Sequence, residues 1–159
     1  MPGVARRGPE VRVLRTRPGD EHEVARFAEA FDYDVDPDQT RRLLADSRHH
    51  LLLAYLGPRP AGFVSAVEVF HPDKAPELFL NEIAVMEAAQ RHGVARALIE
   101  NLKQVGRDLG CVNVWVLTDA DNLAARNLYR TTGGRESVDP SLMYEYDLTE
   151  PVKTRPPSP

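Results

Sequence analysis

The chain has a single cysteine, Cys111. An internal disulfide is therefore excluded, and nothing in the sequence calls for an oxidising compartment. Long apolar runs are also missing, and no stretch has the length of a membrane span. The first ten residues carry Arg6 and Arg7 with no apolar run behind them, which is not the pattern of a secretory signal. Basic excess is missing as well: the net charge is −4 at pH 7. That balance speaks against nucleic acid as the main partner, because phosphate binding needs a basic face, and it leaves room for cationic ones. The five histidines show no ligand-like spacing, so no metal site is expected. The expectation is a cytoplasmic protein with no nucleic-acid or membrane partner.

What remains is ordinary globular material. Of 159 residues, 42% are hydrophobic and 28% charged, enough for one domain with a core. The Gly-, Pro- and Arg-rich residues 1–10 read as a flexible N-terminus. Residues 149–159 hold Pro151, Pro156, Pro157 and Pro159 and read as a disordered tail, leaving residues 11–148 as the folded domain.

Within that domain the periodicity switches several times. Residues 11–16 alternate as a strand. Asp20 opens a helix whose apolar positions Val24, Phe27, Ala28 and Phe31 share a face, and Asp36-Pro37 opens a second carrying Leu43 and Leu44. Residues 50–56, 61–70 and 77–85 are apolar strands separated by the turn at 57–60 and the loop at 71–76, and they read as an antiparallel meander. A long helix over 93–109 buries Val94, Leu98, Leu102, Val105 and Leu109 on one face and stops at Gly110. A strand over 111–117 follows, then a helix capped by Asn122 and ended by Gly133-Gly134. Two short strands, near 135–138 and 142–148, complete the domain. The result is an α/β (α+β) class: a mixed, mostly antiparallel sheet with helices on both faces. A right-handed crossover sets the strand at 111 parallel to the strand at 77, and the adjoining ends of this central pair splay into a cleft.

The sharpest local feature is Gln90-Arg91-His92-Gly93-Val94-Ala95, between a strand and the long helix. Gly93 and Ala95 allow close approach to the backbone, the free N–H groups of a helix start attract an anion, and Arg91 and Arg96 add positive charge. The run lacks the Gly-Lys-Ser/Thr of a Walker A loop and the three-glycine spacing of a dinucleotide fingerprint. Taken alone, it is equally a loop whose glycine eases the helix start.

The run from Leu80-Asn81-Glu82-Ile83-Ala84-Val85 through Gln90-Arg91-His92-Gly93-Val94-Ala95-Arg96-Ala97-Leu98-Ile99 resembles the acetyl-CoA motif of the GNAT superfamily of N-acetyltransferases, with Ala95 at its last small position. The resemblance extends through Asn122-Leu123-Ala124-Ala125-Arg126-Asn127-Leu128-Tyr129 and Gly133-Gly134, a second cofactor segment in the right order, and together the two cover most of residues 77–147. It implies a GNAT fold and acetyl-CoA as cofactor. The backbone of Ile83, Ala84 and Val85 is expected to hold the pantetheine arm. The amides from Gln90 to Arg96 are expected to hold the pyrophosphate. Asn122 and Ala125 are expected to contact the cofactor from the facing helix, with Tyr129 near the thioester sulfur.

Acetyl transfer to an amine requires a base for the ammonium proton, donors for the oxyanion and an acid for the departing thiolate. Glu82, a carboxylate inside an apolar strand just before the cofactor segment, is the expected base: facing the cleft, partial burial would raise its pKa, whereas on the solvated side it would be a surface glutamate. Tyr129 is the expected acid, with packing on the sheet as the other reading. Asn122 reads as an N-cap and a cofactor contact at once. Cys111 and Trp115 read as core.

For the acceptor, residues 32–38 alternate four acids with other residues, and in the family this connection borders the acceptor cleft. Asp32 and Asp34 there, with Glu82 and Asp119, are the expected contacts of a small cationic amine; Asp139 and Glu145 are weaker candidates. Within the superfamily the chain resembles aminoglycoside 3-N-acetyltransferases of the gentamicin-resistance type, through Glu82 to Val85, Asp119, Leu128-Tyr129 and Gly133. It departs from them at Asn81, where that group has an aromatic, and at Glu82, where it has aspartate. A polyamine, a small metabolite or a protein N-terminus is the competing acceptor, and a non-catalytic CoA-binding module the competing function. A homodimer is expected, with residues 135–148 offering an edge for pairing.

Overall fold

The β-rich middle of the chain folds as its alternation dictates. A computed structural model describes residues 9–138, 141–146, 148 and 149. Strands β1 (Val11–Arg15), β2 (His49–Leu56), β3 (Arg59–Val69), β4 (Glu77–Val85) and β5 (Val114–Trp115) make one sheet in the order β1-β2-β3-β4-β5. The first three pairings are antiparallel and the β4–β5 pairing is parallel, the arrangement expected of a meander followed by a crossover.

Each face of the sheet carries its own core. On one face Leu52, Ala54, Val64, Ala66, Leu78 and Leu80 pack under Val94, Leu98, Ile99, Leu102 and Val105 of helix α3 (Val94–Asp108). On the other, Leu51, Leu53, Tyr55 and Phe63 meet Val24 of α1 (Glu21–Ala25), Phe27, and Leu44 of α2 (Pro37–Ala45). The period of two along β2 sends neighbouring leucines to opposite cores, which is why residues 50–56 read as continuously apolar. Helix α4 (Leu123–Thr131) lies on the α3 side, with Leu128 and Tyr129 against that core. Its C-terminal end is tied to α3 by Arg96 Nη2 donating to the Thr131 carbonyl (3.1 Å) and Lys103 Nζ donating to the Thr132 carbonyl (3.0 Å).

Two irregularities shape the sheet. The register shifts between Ala54 and Tyr55 on β2 and between Ser65 and Ala66 on β3. At the second, Ser65 faces Glu82 and Ala66 faces Leu80, so Asn81 is the extra residue of a β-bulge in β4. Nearby, β3 and β4 approach closely: a Cβ on Gly62 would sit 2.4 Å from the Ala84 carbonyl oxygen.

Four expectations from the sequence are corrected. The first helix does not run to Phe31: α1 ends at Ala25, and a 3₁₀ turn, Ala28–Ala30, follows. Asp20 opens it without a side-chain cap, its carboxylate accepting instead from the Arg17 N–H. The strand expected over 111–117 narrows to Val114–Trp115, because only Leu78 and Phe79 of β4 pair with it. Among the described residues, 135–138 and 141–146 form no strand. Most of the expected flexible terminus and proline-rich tail, and Asp139, lie outside the described residues; Glu145 is exposed, in no element. No helix among the described residues is long and apolar enough to cross a membrane.

Leu98, fully buried between α3 and the sheet, gives the test of this packing. Leu98→Ala is expected to destabilise the fold by about 2–5 kcal/mol, read as a fall in melting temperature of roughly 5–15 °C by calorimetry.

Candidate active site

The bulge in β4 determines where the carboxylate faces. In a regular strand Asn81 and Glu82 would point to opposite sides; with one residue looped out, both line the same pocket. Alternation then resumes with Ile83 and Val85 against the α3 core and Ala84 against the other. The pocket, of about 470 Å³, is floored by Leu51, Phe31 and Phe63 and walled by Ser65, Asn81, Glu82 and the α1–α2 connection. Phe31 stacks on Phe63 with ring centroids 4.2 Å apart, which fixes that connection to the sheet.

Four carboxylates therefore reach one pocket: Asp32, Asp34, Asp36 and Glu82. Asp36 is already engaged, its Oδ1 accepting from the N–H groups of Asp38 (2.8 Å) and Gln39 (2.9 Å) to cap α2. Asp32 and Asp34 are exposed. Burial raises the Glu82 pKa above the ordinary glutamate value, and the nearby negative charge of Asp32 raises it further. Asp38, the fourth acid of the run, is outside this pocket and pairs with Arg41 at 2.7 Å. A larger cavity of about 1010 Å³, between Ala28, Arg59 and Met86, is lined by none of the predicted site residues.

The other half of the site is at the start of α3. A 3₁₀ turn, Glu87–Ala89, leads from β4 into residues 90–93. There Arg91 takes φ +63° and Gly93 φ +79°, both left-handed, with no side-chain cap on the helix. The first helical bond runs from the Ala97 N–H to the Gly93 carbonyl (2.9 Å). The amides of Val94, Ala95 and Arg96 consequently have no partner in the preceding turn and form a donor cluster at the positive end of the dipole. His92 is exposed, its Nδ1 2.7 Å from the Gln90 carbonyl oxygen. Arg96, expected to add charge here, instead uses its guanidinium to bridge to α4.

Between the halves, β4 has no β5 partner beyond Phe79, which pairs with Trp115. The edge from Leu80 to Val85, including the backbone of Ile83, Ala84 and Val85, is open on that side. Phe79 and Trp115 stack at 4.3 Å at the point of divergence. At the start of α4 the Asn122 side chain accepts from the Ala125 N–H at 3.1 Å. The Asn122 cap is thus observed, and the Ala125 amide is used in it. Tyr129 is half-buried on the α3 side, and burial raises its phenol pKa. The structure joins Glu82, Asp32 and Asp34 in one pocket. Tyr129 and Asp119 do not line it; Asp119 sits in the exposed connection after β5, its carbonyl accepting from the Asn122 N–H.

Sequence reasoning missed Ser65 and the role of Asn81. The available signal was the pair of adjacent polar residues, Asn81-Glu82, interrupting an apolar strand, which suits a bulge better than regular alternation.

The model of the acetyltransferase (GNAT) family matches residues 14–133. No curated protein sequence matches the chain. Among solved structures, an aminoglycoside acetyltransferase from an uncultured soil metagenomic sample is 27% identical, over 87% of this chain and 99% of that one, with a TM-score of 0.73. A second from such a sample, in complex with sisomicin, is 18% identical over 87% and 96%, with a TM-score of 0.79. AAC(6′)-Iy in complex with the bisubstrate analogue CoA-S-monomethyl-acetylneamine is 17% identical over 87% and 99%, with a TM-score of 0.73. The last two likenesses are of fold.

Acetyl-CoA is the cofactor of this family, and the residues present fit it: a left-handed Arg91 and Gly93 cradle, unpartnered helix amides for a pyrophosphate and an open β4 edge for an amide-bearing arm. No atom within 4 Å crowds a Cβ placed on Gly93, so a side chain there acts through its positive φ alone. Gly93→Val is expected to weaken CoA binding roughly tenfold, the equivalent of the ~1–2 kcal/mol cost of a left-handed non-glycine residue, by isothermal titration, with the circular dichroism spectrum unchanged.

Proposed function

The chain belongs to the GNAT family of acetyltransferases, and on that premise we propose that it acetylates an amino group of an aminoglycoside, with Glu82 as base. One observation carries the reading: the pocket beside the open β4 edge is lined by Asp32, Asp34, Asp36 and Glu82. Several carboxylates around an apolar floor suit an acceptor bearing several ammonium groups on a ring framework. The similar aminoglycoside acetyltransferase at 27% identity supports the same class.

The chemistry follows from the groups present. An ammonium drawn in by Asp32 and Asp34 reaches Glu82, whose raised pKa brings it nearer the task of accepting the proton. The bound cofactor supplies the acetyl thioester. Backbone N–H groups along the open β4 edge are donors for charge on the acyl oxygen. Tyr129, its phenol kept protonated by burial, is the proton source for the leaving thiolate. Asp119 is the more distant acceptor contact.

The finer proposal is the 3-amino group of a gentamicin-like drug. It rests on the run Glu82 to Val85, with Asp119, Leu128-Tyr129 and Gly133. The 6′-amino group is the competing position, on the likeness to AAC(6′)-Iy.

Incubating the protein with acetyl-CoA and gentamicin, a simpler 2-deoxystreptamine drug, spermidine and an N-terminal peptide, and following free thiol, tests the acceptor class. Turnover is expected with the aminoglycosides alone, and mass spectrometry of fragments fixes the amine. Turnover confined to spermidine or peptide overturns the substrate reading and leaves the cofactor site standing. CoA binding with no turnover on any acceptor favours the non-catalytic module.

The base has its own signature. A base works only when deprotonated, so the rate is expected to rise with pH through a limb set by Glu82, displaced above the usual glutamate range. Glu82→Gln is expected to abolish that limb and lower kcat by about 10²–10⁴, measured as a pH–rate profile beside wild type; an unchanged profile removes Glu82 from the mechanism.

A further inference from the structure

Trp115 reads as core in the sequence, yet it is 38% exposed. Alternation explains where it points. Along β4, Leu78 and Leu80 enter the α3 core, and in and beside β5 Val114 and Val116 pack against the same core. Phe79 and Trp115 therefore lie on the opposite face of the sheet. Their rings meet there with centroids 4.3 Å apart, and neither belongs to the core under α1 and α2. That face is the one that carries the carboxylate pocket. Phe79 stands two positions before Asn81, and its partner Val67 stands two positions after Ser65; Asn81 and Ser65 both line the pocket. Two residues of strand span about 7 Å, so the aromatic pair lies a sugar ring's width from the pocket wall.

The two sides of this cleft differ in charge. Asp32 and Asp34 supply carboxylates from the α1–α2 connection. Past Asn81, the sheet face offers Phe79, Val67, Val69 and Trp115, with Glu77 at its far end. Glu77 is already engaged, by His71 at 3.1 Å, Lys74 at 3.3 Å and Asn113 at 3.2 Å. Among the described residues of this strand face, a cation therefore meets aromatic rings and no free carboxylate. An indole attracts an ammonium group through its ring quadrupole, and its flat breadth packs against the apolar C–H face of a sugar ring.

We propose that Phe79 and Trp115 form an aromatic extension of the acceptor pocket, on which a second ring of a multi-ring aminoglycoside lies with an ammonium group over the Trp115 face. The extension rests on the aminoglycoside reading above and assigns the part of the acceptor distant from the reacting amine. Phe79 holds the indole in place, and Trp115 makes the contact. A linear polyamine has charge but no ring to lay on this platform, so the pair selects for ring-bearing acceptors.

Trp115 is the only tryptophan of the chain, so intrinsic fluorescence reports this residue alone. The experiment titrates gentamicin into the protein saturated with CoA. It follows indole emission and its quenching by acrylamide, and measures binding in the same samples by calorimetry. A saturable change in emission and reduced quenching are expected at the concentrations where the heat saturates, with neither produced by spermidine. Trp115→Leu is expected to raise the KM for gentamicin roughly two- to thirtyfold, the range of a cation–π contact, with the effect on KM rather than kcat. Trp115→Phe is expected to restore part of the loss, the circular dichroism spectrum of both variants matching wild type. Gentamicin that binds and is acetylated while Trp115 emission and quenching stay unchanged overturns the extension and leaves the aminoglycoside reading intact. An equal response to spermidine overturns the extension too. Gentamicin that neither binds nor turns over overturns both readings. Emission that follows protein concentration and not the acceptor gives this face to a second copy and overturns the proposal.

Discussion

One extra residue in β4 governs this molecule. Opposite Ser65 and Ala66 the strand carries three residues, Leu80, Asn81 and Glu82, where regular pairing would have two. The looped-out position turns Glu82 away from the α3 core and into the pocket bordered by the α1–α2 connection. It also restores Ile83 and Val85 to the α3 core. Without it, either the carboxylate would be buried under α3 or the apolar end of β4 would face water. Both costs exceed that of one disrupted ladder position.

The bulge works together with the early end of the β4–β5 pairing. After Phe79 and Trp115 the two parallel strands part, and the β4 backbone from Leu80 onward is left with donors and acceptors that the sheet does not use. Such an edge is normally a hazard. Here it runs from Leu80 to Val85, directly ahead of the turn whose following helix amides have no partner among the described residues.

Much of this was legible in the residues. The α2 start was readable from Asp36-Pro37, because a capping side chain and a favoured first-turn proline act locally. Helix α3 was readable because its buried positions recur at helical spacing, and Gly93 because only certain backbone angles enter such a helix. The Glu82 environment was inferred from a charge in an apolar strand, and Glu82 lines the pocket with Asp32 and Asp34. The illegible parts depend on partners distant in sequence. Arg96 looked like a free cation until Thr131, 35 residues on, took its guanidinium. The 111–117 run had strand composition, but strand length is set by pairing, and β4 offered two positions. The stop of α1 at Ala25 follows from Phe27 turning into the core beside Tyr55, a tertiary demand that no helical periodicity announces.

The central sheet is also a partition. The turn at 90–93, α3 and α4 lie against one core, and the acidic connection with its phenylalanine stack lies against the other; the two cores share strands but few side chains. The bridges from Arg96 and Lys103 bind α3 and α4 into one block, while the α1–α2 connection is fastened chiefly by Phe31 on Phe63. Residues 32–35 can therefore be exchanged with little disturbance to the α3–α4 block. A lineage carrying this architecture is free to redraw one face of the sheet while conserving the other.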